Sequence, residues 1–101
     1  ATATGAVETS QRLARMFQAD RGLISSRGRR AASALRVHDV LKARPITSLA
    51  AISRTTGLSF PTASSATKLL VELGIARELT GKRRNQLFAY DRYLKTLNEG
   101  I

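Results

Sequence analysis

Residues 49–74 read LAAISRTTGLSFPTASSATKLLVELG, two helical patterns of unequal length joined by a turn. The first pattern covers Leu49 to Thr56, and either Thr47 or Ser48 can cap its N-terminus. Gly57 follows at the place where a helix C-terminus favours a residue in the left-handed conformation. The stretch therefore predicts a short helix and a tight turn that leads into a second helix.

The second helix is predicted to open at Ser59-Phe60-Pro61 and to last to about Leu73. A proline is tolerated in the first turn, because the N–H that it lacks would have no partner there. Either Ser59 or Phe60 is the cap residue, and Gly74 ends the helix. The side chains expected to face inward are small or apolar: Ala63, Ala66, Leu70 and Leu73.

Two further helices are predicted on the N-terminal side. After a disordered tail at residues 1–6, apolar side chains between Val7 and Ile24 recur at spacings of three, four and seven residues, which indicates an amphipathic helix. Residues 25–30 indicate a hinge, and a helix is predicted from about Arg29 to Ala43, where Pro45 stops it. The inward stripe of the first helix is Leu13, Met16, Phe17 and Ile24, and that of the second is Ala34, Leu35, Val37, His38 and Leu41.

A small hairpin is predicted on the C-terminal side. Ile75 to Leu79 and Leu87 to Tyr90 are short and partly apolar or β-branched, which is typical of strands, and Thr80 to Gln86 is a polar loop. A last helix covers Asp91 to about Asn98, with inward side chains at Tyr93, Leu94 and Leu97.

This order of elements predicts a mainly α fold with a small β-hairpin, a winged helix-turn-helix preceded by an N-terminal helix. We divide the chain into two parts. Residues 1–28 are a tail and an amphipathic helix, for packing or for linkage to an upstream domain, and residues 29–101 are the winged helix-turn-helix domain.

Composition narrows the classes of function. The 101 residues suit one domain. The 17 Lys and Arg against 7 Asp and Glu give a net charge of +10, which favours an anionic partner, most often a nucleic acid and sometimes a membrane surface or an acidic protein. The chain has no Cys, and therefore no disulfide, thiolate metal site or Cys nucleophile. With no apolar stretch long enough for a bilayer and no visible signal peptide, we expect a cytoplasmic domain without a membrane partner. The missing initiator Met suggests a piece of a longer chain.

The residue pattern gives no sign of an enzyme, a cofactor or a metal. His38 is the only histidine, and among apolar neighbours it is interpreted as a half-buried side chain with a hydrogen-bond partner. The carboxylates are scattered, and the chain carries neither a Gly-x-Ser-x-Gly turn nor a glycine-rich phosphate loop. We therefore predict a domain that binds and does not catalyse.

Two polar groups have the placement that DNA binding requires. In a helix-turn-helix the second helix, here residues 60–73, enters the major groove with its N-terminal residues leading. The hairpin loop, residues 80–86, is a basic wing suited to the phosphate backbone. Ser and Thr at a helix start are more often caps, and a basic loop is more often solvated. The candidate DNA-binding residues are Ser59, Thr62, Ser64, Ser65 and Lys68 on the helix and Lys82, Arg83, Arg84 and Asn85 on the wing.

Five segments resemble the C-terminal region of bacterial Fic (filamentation induced by cAMP) proteins: TGLSFPT at 56–62, LVELGI at 70–75, TGKRRN at 80–85, FAYDRYL at 88–94 and LNEG at 97–100. The resemblance covers about residues 8–101. It implies a winged helix, commonly interpreted as DNA-binding and transcription-regulator-like, behind an upstream domain that transfers AMP from ATP to a protein hydroxyl.

The Fic catalytic loop itself is absent from this sequence. That loop begins His-Pro-Phe, whereas Asp39 and Val40 follow His38 here, so the resemblance carries over no catalytic residue. Family members often have a bulkier apolar residue in place of Ala63 and a basic one in place of Ser65, which leaves the wing as the stronger expected contact.

The alternative function is a protein-interaction module. The apolar stripe of the N-terminal helix could pack on the upstream Fic domain or on a second copy of the chain, and thereby regulate or position the AMP-transferase. The partners that the sequence suggests are therefore double-stranded DNA, a homodimer partner and the upstream domain. The stripe in this hypothesis is Leu13, Met16, Phe17, Leu23 and Ile24.

Overall fold

Helices dominate the structure, a computed structural model that describes residues 2–81 and 84–99, with side chains from residue 8 onward. The architecture agrees with the predicted winged helix-turn-helix preceded by an N-terminal helix. In chain order the elements are α1 (Thr2–Ser25), a 3₁₀ turn (Gly28–Arg30), α2 (Ala31–Ala43), β1 (Ile46–Ser48), α3 (Leu49–Thr56), α4 (Phe60–Glu72), β2 (Arg77–Glu78), β3 (Leu87–Ala89) and α5 (Asp91–Glu99).

The first helix is longer than predicted. It begins at Thr2, so the prediction of a disordered tail at residues 1–6 is wrong for residues 2–6, and residue 1 lies outside the described residues. Ala3 and Ala6 are strong helix formers and offset the cost of Gly5. At the other end Gly28 has a φ of 66°, and the 3₁₀ turn that follows it delays the start of α2 to Ala31.

The helix-turn-helix follows the predicted signals closely. Of the two predicted caps for α3, the structure selects Ser48, whose Oγ accepts a hydrogen bond from the Ala51 N–H at 3.1 Å. Gly57 closes α3 with a φ of 75°, a conformation that a side chain would strain. Ser59, and not Phe60, caps α4. The caps and the glycine therefore fix the turn from local chemistry alone.

The sheet has one strand more than the predicted hairpin. Its order is β1-β3-β2, and both pairs are antiparallel. Thr47 of β1 is the register partner of Phe88 in β3, and the Tyr90 N–H donates to the Pro45 carbonyl at 2.7 Å. Because β1 has only three residues directly after a proline, its pattern is too short to predict a strand.

The hydrophobic core lies around α2, which packs against α1, α3 and α4. Half of the side chains predicted to face inward are buried, and the other half are partly buried, namely Leu13, Met16, Phe17, Leu35, Leu73, Tyr93, Leu94 and Leu97. Thr67 was not predicted in the core, and its hydroxyl is satisfied there by the Ala63 carbonyl at 2.7 Å. The buried apolar side chains come from α1 (Ile24), α2 (Ala31, Ala34, Val37, Val40, Leu41), α3 (Leu49, Ile52), α4 (Ala63, Ala66, Leu69, Leu70) and the sheet region (Ile75, Ala76, Phe88, Ala89, Tyr90).

Candidate nucleic-acid interface

The outer face of α4 carries the predicted recognition residues. The opposite face is held in the core by Ala63, Ala66 and Leu70, so residues offset from them by half a turn point to solvent. Thr62, Ser65 and Lys68 are exposed, and Ser64 is partly buried. The face is therefore polar, short in side-chain length and open along its first two turns.

The start of α4 combines capping with available donors. Ser59 Oγ accepts from the Thr62 N–H at 3.4 Å and donates its hydrogen to Thr62 Oγ1 at 2.9 Å. This uses the hydrogen of Ser59 and leaves the Thr62 hydroxyl hydrogen without an acceptor among the described residues. Ser59 thus caps the helix, while Thr62 can donate to a ligand in front of it.

The base of the wing is ordered by one carboxylate. Glu78 Oε2 accepts from the Thr80 hydroxyl at 2.6 Å, from the Gly81 N–H at 2.6 Å and from the Thr80 N–H. These hydrogen bonds, that of the Thr80 hydroxyl first, hold the pKa of Glu78 below its usual range. Arg84 and Asn85 are exposed beyond this turn, whereas Lys82 and Arg83 lie outside the described residues.

The wing lies against one flank of α4. A cleft of about 310 Å³ separates Lys68, Val71 and Glu72 from the wing, and a second of about 270 Å³ includes Phe60 at the start of α4. The hairpin residues that line these clefts are Asn85 and Gln86 of the wing and Glu78, Leu87 and Phe88 of the two strands. The structure therefore brings Lys68 of α4 beside Gln86 of the wing, and Phe60 beside Asn85, while Thr62 and Ser65 line a different cleft.

Most carboxylates of the chain are already paired with cations. Asp39 lies 3.0 Å from Lys42, Asp91 lies 3.3 Å from Lys95, and the remaining ion pairs within the described part are Arg77–Asp91, Arg12–Glu99, Arg30–Glu72 and Arg92–Asp20. Glu72 is the one carboxylate of α4, and its side chain is exposed on the outer face. Lys68 forms no ion pair with a described residue. The amine of Lys68 is therefore available to an external anion.

Sequence reasoning missed two groups beside α4. Phe60 was considered as a cap residue, but its ring is 56% exposed at the start of the helix. Arg29 and Arg30 were interpreted as part of a hinge, but they line a cleft against the first turns of α4. The signal was present, because residues 27–30 read RGRR, which resembles the GKRRN of the wing.

A buried polar cluster was also missed, and it lies in the packing of α1, α2 and α5. The side chains of Asp20, His38 and Tyr90 are 0% exposed. Tyr90 Oη lies 2.6 Å from Asp20 Oδ2 and 2.8 Å from His38 Nε2, and Arg92 pairs with Asp20 Oδ1. Because these three groups have no exposed surface, they cannot meet a substrate in this conformation and serve the fold.

The hydrogen bonds of this cluster define the protonation of His38. An ionised carboxylate accepts only, so Tyr90 donates its hydrogen to Asp20 and must accept from His38 Nε2–H. In the neutral ring His38 Nδ1 then carries the lone pair, and this nitrogen has no hydrogen-bond partner among the described residues. Burial, followed by the charge of Lys42, lowers the pKa of His38, and burial with the Asp20 hydrogen bond raises the pKa of Tyr90. His38 is fully buried in the structure, so the prediction of a half-buried side chain is wrong.

The described residues offer neither a cluster of metal ligands nor a membrane-spanning helix. No three side chains of the types His, Asp and Glu in that part of the chain come together as metal ligands. No helix there combines the length and the apolar character needed to cross a membrane.

Comparison with known proteins adds no assignment. No protein-family model matches this sequence, and no curated protein matches it significantly. The resemblance to the C-terminal region of Fic proteins therefore stays a prediction from short motifs.

Proposed function

We propose that this domain binds double-stranded DNA, with α4 in the major groove and the wing on the phosphate backbone. The observation that carries the proposal is the outer face of α4. Thr62, Ser65 and Lys68 are exposed there, and the wing lies along one flank. Lys68 forms no ion pair with a described residue, although Glu72 and Glu78 line the same cleft. A major groove admits a helix whose side chains are short, and hydroxyls and Lys can donate to phosphate or base-edge acceptors.

Charge supports the same proposal. The net charge of +10 resides on a chain whose carboxylates are largely paired, so the surplus cations are available to phosphates. On this proposal Ser59, Thr62, Ser65 and Lys68 face the groove, while Lys82, Arg83 and Arg84 contact the backbone. The domain would work in the cytoplasm of a bacterial cell, either as a transcription regulator or by placing an upstream AMP-transferase on DNA, without catalytic activity of its own.

The test is binding of random-sequence duplex DNA, followed by fluorescence anisotropy at several salt concentrations. We expect the affinity of the wild type to fall steeply with salt, because bound phosphates release counterions. The triple variant Lys82→Ala, Arg83→Ala, Arg84→Ala should bind more than about tenfold less tightly at low salt, with a salt slope smaller by about three.

A matched control removes the same charge elsewhere. Arg12, Arg15 and Lys95 are exposed on α1 and α5, which pack against each other. Their combined replacement by Ala should change the salt slope much less than the wing variant does. Equal losses in the two triple variants would mean that only net charge matters, and no binding of the wild type at low salt would refute the proposal.

The interaction module is the competing hypothesis, and the structure weakens its motivation. Ile24 is fully buried within the chain, and Met16 and Phe17 pack against the core, so the apolar stripe of α1 is used mainly inside the domain. Leu23 remains 39% exposed. Sedimentation at increasing protein concentration tests the homodimer form of this hypothesis, because a monomer is expected if α1 serves only internal packing. A dimer would be compatible with DNA binding, since many such domains dimerise on paired half-sites.

A further inference from the structure

A cleft of about 320 Å³ runs between the 3₁₀ turn and the start of α4. One wall consists of Arg29, Arg30 and Ser33, and the other consists of Pro61, Thr62, Ser65 and Ala66. The cleft therefore combines two guanidinium groups with three hydroxyls and contains no carboxylate among its lining residues. Such a lining is the chemistry that proteins use for phosphate.

The cleft and the wing lie on opposite flanks of α4. Successive residues of a helix are about 100° apart, so Thr62 and Ala66 fall toward one flank of α4, while Phe60 and Val71 fall toward the other. The first pair lines the arginine cleft, and the second pair lines the clefts that face the wing. Cationic groups are thus available on both sides of the helix that is proposed to enter the groove.

The two arginines differ in what already holds them. Arg30 Nη2 donates to the Ser65 carbonyl at 3.4 Å, and Arg30 Nη1 lies 3.5 Å from Glu72 Oε2. Arg29 is exposed and forms no ion pair with a described residue. Arg30 therefore fixes the wall of the cleft against α4, while the guanidinium of Arg29 is available to a ligand.

We infer that Arg29 and Ser33 bind a backbone phosphate at the edge of the major groove opposite the edge held by the wing. The inference rests on the proposed DNA-binding function. A helix in a major groove about 12 Å wide has a phosphate backbone on each side. If the wing contacts the backbone on one side, the backbone on the other side is available to the arginine cleft. Arg29 supplies a planar, bidentate donor, Ser33 adds a hydroxyl, and Arg30 positions the site through its contacts with α4.

The test compares the variants Arg29→Ala and Arg15→Ala on the same duplex across a salt series. Arg15 is an exposed arginine on α1, so both variants lose one charge. We expect Arg29→Ala to bind about fivefold to tenfold less tightly at low salt, with a salt slope smaller by about one. Arg15→Ala should keep the wild-type slope.

Two further variants separate charge from geometry. Arg29→Lys keeps the charge, so its slope should equal that of the wild type, with an affinity within about threefold. Ser33→Ala should lower the affinity about twofold at every salt concentration and leave the slope unchanged, because only a neutral donor is lost. Thermal melting of each variant checks that the fold is intact.

The outcomes distinguish this site from the proposed function. If the wild type binds duplex DNA and the wing variant weakens it, but Arg29→Ala behaves like Arg15→Ala, the phosphate site is refuted and the DNA-binding function stands. If the wild type binds no duplex at low salt, both are refuted. A slope that falls by about one only in Arg29→Ala supports the site.

Discussion

Polar side chains gather at two places in this molecule, the buried cluster of Asp20, His38 and Tyr90 and the outer face of α4 with Thr62 and Ser65. In the cluster Tyr90 Oη lies 2.6 Å from the Asp20 carboxylate and 2.8 Å from the His38 imidazole, and none of the three side chains is exposed to solvent. On α4 the hydroxyls and the amine of Lys68 are exposed. Both regions contain similar polar groups, but those of the cluster form hydrogen bonds with one another, whereas those of α4 are exposed to solvent.

The difference separates stability from binding. A buried polar group without a partner costs about 1–3 kcal/mol, so most are satisfied inside the protein. In the described part of the chain, His38 Nδ1 is the exception. An exposed donor is satisfied by water, and a ligand can replace that water at little cost. Substitutions in the cluster should therefore change the free energy of unfolding, and substitutions on α4 should change affinity for DNA.

The largest effect is expected for Tyr90→Phe. The loss of the hydroxyl leaves the Nε2–H of His38 without an acceptor and removes a donor from the buried Asp20 carboxylate, so we expect a loss of about 3 kcal/mol in the free energy of unfolding. Urea denaturation measures it. Tyr93→Phe is the matched control and should change stability by less than about 0.5 kcal/mol, since Tyr93 is only partly buried.

Tyr90→Phe also tests whether the buried cluster affects stability alone and not DNA binding. DNA affinity of folded Tyr90→Phe, measured well below its unfolding temperature, should equal that of the wild type. A loss of affinity at unchanged fold would show that the cluster also governs the orientation of the binding face.

A pH dependence of stability is expected from His38. Its pKa in the folded protein lies below the ordinary value of 6.5, first because of burial and then because of Lys42, while Asp20 and Asp39 act in the opposite direction and Arg21 adds to the lowering. Below about pH 6.5 the imidazole of His38 binds a proton in the unfolded chain but not yet in the folded one. The contribution of neutral, buried His38 to stability is therefore complete above that pH and is lost as the pH falls.

Melting temperatures at about pH 7.5 and about pH 5 check this dependence. The drop between them should be smaller in His38→Gln than in the wild type, because glutamine does not titrate. Equal drops in the two proteins would exclude His38 as the source.

Ser59 stands between the two regions, because it caps α4 and faces the proposed groove. Ser59→Ala should cost about 1 kcal/mol in stability through the lost cap. Ser59→Asp keeps a good cap and retains stability, but its negative charge faces the DNA and should lower affinity. Urea denaturation and anisotropy on both variants separate the roles, and an unaffected affinity in Ser59→Asp would remove Ser59 from the interface.

The smallest effect is expected for Glu72→Gln. Glu72 is the carboxylate on the outer face of α4 and lies 3.5 Å from Arg30, with both side chains largely exposed. Removal of its charge should change stability by less than about 0.5 kcal/mol, since exposed ion pairs contribute little. DNA affinity at low salt should rise about twofold to threefold as a repulsive charge disappears. An unchanged affinity would place Glu72 outside the interface.

The helix-turn-helix was predictable because its signals are local. Ser48, Gly57, Ser59 and Pro61 each act on backbone groups within four residues, and the structure places each at the expected end of a helix. The strand β1 was not predictable, because its hydrogen bonds go to a strand about 40 residues away and its own three residues show no pattern.

The sites were less predictable than the elements for the same physical reason. In the sequence, Asp20 resembles a surface carboxylate on an amphipathic helix. Its burial is favourable only because Tyr90 donates a hydrogen bond to it and Arg92 forms an ion pair with it, and both residues lie far away in the chain. Arg29 looks like a solvated hinge residue until α4 packs beside it. The exposed residues of α4 itself were predicted, because helix periodicity determines which face remains outside.

The contact between Asp20 and Tyr90 has a consequence for the order of folding. Its two residues are 70 positions apart in the chain, and the ion pair of Arg92 with Asp20 spans 72. Closing so long a loop is entropically costly, so we expect helices α2 to α4 to associate first and α1 to dock with α5 last. Substitutions in the cluster should then accelerate unfolding far more than they slow refolding.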